Sequence, residues 1–205
     1  MFRIINTVTI LALVLSVAGL SGCLVEDREV QIVLNDEDCE TFDELHTSEN
    51  FVTPQFLSLG EELDSLLADN DVPREQILDG FLVSASYEIT SFTQTHDWDL
   101  AGVITVQRAD ITDSPDTLIV YPSITVSEEL VGEKTYATLH EEGVAKVNQA
   151  IDDFIGGAYP MLILRVENAQ VEPDPSAADP IEFGWEFCLF LQVITALDTE
   201  IFQLF

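Results

Sequence analysis

Basic residues are scarce in this sequence. Only 7 of its 205 residues are Lys or Arg, against 38 Asp and Glu, and the formal net charge is −31. A surface this acidic repels phosphate backbones and anionic headgroups, which excludes nucleic acid as a partner. Histidine is also scarce. His46, His96 and His140 stand far apart, so there is no closely spaced His/Cys set for zinc. His140-Glu141-Glu142-Gly143 lacks the second histidine of a metalloprotease helix. No Gly-x-Ser-x-Gly elbow is present, and no glycine-rich strand-to-helix loop to cradle phosphate. No metal, cofactor or catalytic set is expected, and a hydrolase ranks last among three readings of function.

The acids themselves allow two readings. One is solubility in salty surroundings, where ions screen self-repulsion beyond about 10 Å or less. The other is a divalent cation or a basic protein as partner. Asp97 and Asp99, and then Asp110, Asp113 and Asp116, offer oxygen ligands of the kind hard cations take. Their spacing lacks the glycine and terminal glutamate of an EF-hand loop.

The charge-free run of the chain lies at its start. Met1-Phe2-Arg3 is basic, Ile4 to Leu20 is uncharged and mostly apolar, and Ser21-Gly22 precede Cys23. This is the layout of an export signal. It is short for a membrane span, which needs about 20 apolar residues. Leu20-Ser21-Gly22-Cys23 resembles the lipobox of bacterial lipoproteins. The resemblance implies cleavage before Cys23 and acylation of its sulfur and its new amine. Several acyl chains anchor stably, since each buried CH₂ contributes about 0.8 kcal/mol. Leu24 in place of Asp resembles sorting to the outer membrane, where the cell has one. The expected organisation is a signal peptide over 1–22, a lipidated tether over 23–29 and one acidic domain over 30–205.

Cysteine is as scarce as histidine, with three of each. With Cys23 assigned to lipid, Cys39 and Cys188 remain, and an exported protein meets an oxidising compartment. A Cys39–Cys188 disulfide is expected, with two buried thiols as the alternative. The bond would make the first and last strands neighbours, on the face away from the Phe183 stripe.

Periodicity supplies the elements. Val30, Ile32 and Leu34 alternate as a strand that Asn35-Asp36-Glu37-Asp38 ends in a turn. Ser58 and Glu61 have capping-box spacing before Leu59, Leu63, Leu66 and Leu67 on one helical face. Three alternating runs follow, from Phe81, Trp98 and Leu118, and read as a meander. Pro122 marks the third as an edge strand or a bulge. Thr138 and Glu141 have capping-box spacing before a helix that Gly156-Gly157 stops. Met161 to Val166 reads as a strand. Ile181, Phe183, Trp185, Phe187, Leu189, Leu191 and Val193 make one long alternating strand.

The expected fold is α+β: a curved antiparallel β-sheet with two amphipathic helices packed on one face. The alternative is a β-sandwich with helical insertions. Function reads as a membrane-anchored binding or structural domain at the cell envelope. The runner-up is a carrier whose concave sheet holds an apolar ligand against Phe183, Trp185 and Phe187.

Overall fold

The computed structural model describes residues 30–197. Eight strands and two helices follow in the order β1 (Val30–His46), β2 (Phe51–Leu57), α1 (Leu59–Asp69), β3 (Ile77–Phe92), β4 (Trp98–Arg108), β5 (Asp116–Val126), β6 (Thr135–Tyr136), α2 (Glu141–Ile155), β7 (Leu162–Glu172) and β8 (Ile181–Leu197). They form two four-stranded sheets, ordered β1–β8–β3–β6 and β2–β7–β4–β5. The β3–β8, β3–β6, β2–β7, β4–β7 and β4–β5 pairings are all antiparallel. Antiparallel strands with two helices therefore stand as expected. The strands divide between two sheets where the sequence suggested one. Ile32–Thr195 is one compact unit; a second, Met1–Gln31 with Ala196–Phe205, lies almost wholly outside the described residues.

The meander is corrected by the pairing. β4 and β5 form a hairpin, but β3 belongs to the other sheet, between β8 and β6. The turn at 35–38 is corrected as well. β1 runs through it to His46, with Leu34, Phe42 and Glu44 buried at alternate positions. In this strand Asn35, Glu37 and Cys39 face water, while Asp36 and Asp38 on the other face are half-buried. β5 is an edge strand, and its register shifts between Ile124 and Tyr121, around Pro122. Both outcomes foreseen for a proline without an N–H to donate are thus realised together.

α2 is amphipathic. Val147, Ala150, Ile151 and Phe154 are all buried, and each large side chain among them contributes about 1.5–3 kcal/mol by leaving water. Its expected end holds: Gly157 adopts φ 97°, and the Gly157 amide donates to Phe154 O. Its expected start does not. His140 is the N-cap and makes no side-chain capping bond, and Ser58 likewise caps α1 without one.

The helices were expected on one face of one sheet. Instead α2 packs against β3 of one sheet and against β4 and β5 of the other, with α1 beside it. The two sheets already turn apolar faces toward one core, so the helix closes a margin between them. Two glycines permit the approach. A Cβ on Gly80 would lie 2.6 Å from Ile151 Cγ2, and one on Gly143 would lie 2.5 Å from Leu118 Cα.

Candidate functional site: a buried carboxylate at an apolar cavity

The site grows from the stripe on β8. Phe183, Trp185, Phe187 and Leu189 alternate along the strand and are all buried. Trp185 stacks on Phe42 of the neighbouring β1, with centroids 4.4 Å apart. Its indole then has an N–H to satisfy, and Glu44, two residues along β1, accepts it at 3.2 Å through Oε1.

Glu44 is 3% exposed. A buried carboxylate must be hydrogen-bonded, since its desolvation is otherwise very costly. Its second oxygen, Oε2, accepts from Thr53 Oγ1 of β2 at 2.8 Å and from the ring N–H of His46 Nε2 at 2.6 Å. His46 in turn stacks flat on Phe51, with centroids 3.7 Å apart. One carboxylate thus ties β1, β2 and β8 together. Strand periodicity puts Phe42, Glu44 and His46 on one side of β1. That signal was available in the sequence, hidden by reading 35–38 as a turn.

Beside this group is an apolar cavity of about 50 Å³. Both sheets line it: Ile89, Phe183 and Trp185 from one, and Leu100, Ile124 and Val166 from the other. Of the three aromatic residues expected to face a ligand, Phe183 and Trp185 reach the cavity. Phe187 is buried without lining it. Leu100, Ile104, Ile124 and Val166 of the second sheet line the same cavity as Phe183 and Trp185. Tyr121 closes another wall, lying across Gly102, where a Cβ would come within 2.5 Å of its hydroxyl. Burial first, then the charges of Glu44 and Glu167, push the Tyr121 phenol well above its ordinary range, so it stays a neutral hydroxyl.

Cys39 and Cys188 form the expected disulfide, joining β1 to its neighbour β8. Cys188 alternates with the stripe, so the bond lies on the other face of the strand, as expected. Among the described residues, Glu37, Cys39 and Cys188 bring metal-ligand atoms together, but the two sulfurs are bonded to each other. Leu20, Ser21, Gly22 and Cys23 lie outside the described residues.

The acidic loop after β4 is occupied by bases. Arg108 holds Asp110 at 2.5 Å and Asp153 at 2.6 Å, while Lys146 holds Asp113 at 2.5 Å and Asp116 at 2.9 Å. Those partners, led by the hydrogen bonds from Arg108 and Lys146, hold the Asp110 and Asp113 carboxyls below the usual range. Asp99 accepts from Thr125 Oγ1 at 2.6 Å. His96 lies 3.6 Å from Asp179.

No protein-family model matches this chain, and no curated protein matches it. Among solved structures, a chain from Desmodium yellow mottle tymovirus shares 13% identity at a TM-score of 0.35, over 86% of this chain and 94% of that one. A chain of infectious bursal disease virus, Gt strain, shares 11% at 0.31, over 85% of this chain but 35% of that one. A turnip yellow mosaic virus chain shares 11% at 0.26, over 87% of each. These scores are too low to carry an argument about fold or function.

Proposed function

We propose that this chain is an exported protein, anchored in the cell envelope by lipid on Cys23, whose acidic β-rich domain is a binding or structural module. The observation that carries the reading is the disposition of its cysteines. Cys39 and Cys188 are bonded to each other, which leaves Cys23, at the end of Leu20-Ser21-Gly22-Cys23, as the one cysteine outside the pair. A thiol at that place is the nucleophile a thioether-linked lipid requires. The outer membrane is the destination in a cell that has one.

The domain reads best as a β-sandwich with helical insertions, supported by the cavity that residues of both sheets line. The cavity is far below the roughly 300–1,000 Å³ of ordinary ligand sites, which favours a binding or structural module over the carrier of a hydrophobic ligand of ordinary size. The pairing of Asp110, Asp113 and Asp116 with Arg108 and Lys146 favours solvation over cation binding as the role of those acids.

Cys23→Ser tests the anchor. The variant is expected to accumulate as unprocessed precursor, to take up no labelled fatty acid and to leave the detergent phase. Normal processing with unchanged detergent partitioning would sink the reading.

A further inference from the structure

We propose that the cavity between the two sheets is a binding site for a small, neutral, apolar molecule. The proposal rests on reading this domain as a binding module and names the ligand class. It does not depend on the lipid anchor.

Size and chemistry fix the class. Protein interiors are close-packed, and voids larger than a water molecule are few. This one is about 50 Å³. A dry apolar cavity of about 150 Å³ takes benzene or xenon, so the present one suits a xenon atom or a molecule of a few heavy atoms. Ile89, Leu100, Ile104, Ile124, Val126 and Val166 offer carbon alone. The polar groups nearby are engaged. Both oxygens of Glu44 accept hydrogen bonds, from Trp185, Thr53 and His46, and the Tyr121 hydroxyl lies 3.5 Å from Asn168 Oδ1. A polar or charged guest would shed its hydration with nothing to replace it.

Xenon is the probe, added to the full chain and followed by its own resonance, by the Trp185 indole signal and by melting temperature. Saturable shifts and a rise in melting temperature are expected, because a ligand that binds only the folded state stabilises it. Val126→Ile with Val166→Ile adds two methyl groups to the lining and should weaken xenon binding at least about tenfold, by filling the void. Should that double variant not fold, Val166→Ala enlarges the cavity and should bind cyclopropane, a guest larger than xenon, more tightly than the unaltered chain does. The proposal is overturned by the absence of a xenon response, by a response that survives in the folded, filled variant, or by an enlarged variant that binds cyclopropane no more tightly. Displacement of xenon by methylammonium would overturn it in favour of a cation site at Glu44. Failed xenon binding with normal acylation removes this inference alone, and failed acylation with normal xenon binding removes only the anchor.

Discussion

The carboxylate of Asp38 has Glu62 of α1, Asp36 and Glu40 as charged neighbours, and its Oδ2 is buried without a hydrogen-bond partner. Burial first, and then those three charges, push its pKa up to about 6. The sign of the consequence follows from proton linkage. Between about pH 4, where an unfolded Asp titrates, and about pH 6, the folded chain holds a proton that the unfolded chain has lost, so stability falls as pH rises through that window. Asp110 and Asp113 act oppositely. Their depressed carboxyls contribute stability above the unfolded pKa, and it is lost as pH falls below about 4. Asp38→Asn should therefore flatten the stability profile between pH 4 and about 6 and raise stability at neutral pH, leaving the acid limb unchanged. Denaturant melts of the two chains across pH 3–8 check this; parallel profiles through the window would refute it.

At the scale of elements, α2 shows how contact can override propensity. Replacing a helical glycine by alanine ordinarily gains about 1 kcal/mol. At Gly143 the new Cβ would lie 2.5 Å from both Leu118 Cα and Thr117 O of β5, which is backbone that cannot step aside cheaply. Overpacking of this kind costs about 1–3 kcal/mol, so Gly143→Ala should lose the expected gain and be net destabilising by up to roughly 2 kcal/mol, measured by chemical denaturation. A gain in stability would mean that α2 does not dock on β5 as described. The helix itself was legible in the sequence, because Val147, Ile151 and Phe154 repeat at helical spacing and glycines follow. Its partner was not, because periodicity names the apolar face of an element and not what covers it. The same limit applies to β8: the stripe from Phe183 to Leu189 is plain, whereas its covering by a second sheet depends on β2, β4, β5 and β7 pairing apart from β3. β2 was missed altogether. Its apolar residues come in adjacent pairs, Phe51-Val52 and Phe56-Leu57, on either side of Pro54, so they do not alternate, and its role is set by Thr53 reaching a carboxylate on β1.

The charge is a property of the whole molecule. Among the described residues, Arg74 pairs with Asp64, Arg108 with Asp110 and Asp153, Lys134 with Glu37, and Lys146 with Asp113 and Asp116. Arg165 donates to Gln107. These bases are engaged locally, and 7 Lys and Arg are far too few to pair with 38 acids. Something must hold this self-repelling chain closed, and the disulfide is one such restraint. It spans 149 residues, and loops of that order restrict the unfolded chain by about 4–5 kcal/mol in the entropic model. Salt is the other. The screening length falls from about 30 Å at 0.01 M to about 3 Å at 1 M, so repulsion between distant carboxylates should fade over that range. With the disulfide intact, sodium chloride should raise the melting temperature steadily. A relief of about 2–3 kcal/mol corresponds to roughly 5–10 °C for a domain of this size. Calcium at micromolar concentration and fixed ionic strength should add nothing, because the effect sought is screening and not coordination. Scanning calorimetry under both conditions separates the two. A calcium-induced rise that sodium chloride does not reproduce would replace the solvation reading of this acidity with a divalent-cation site.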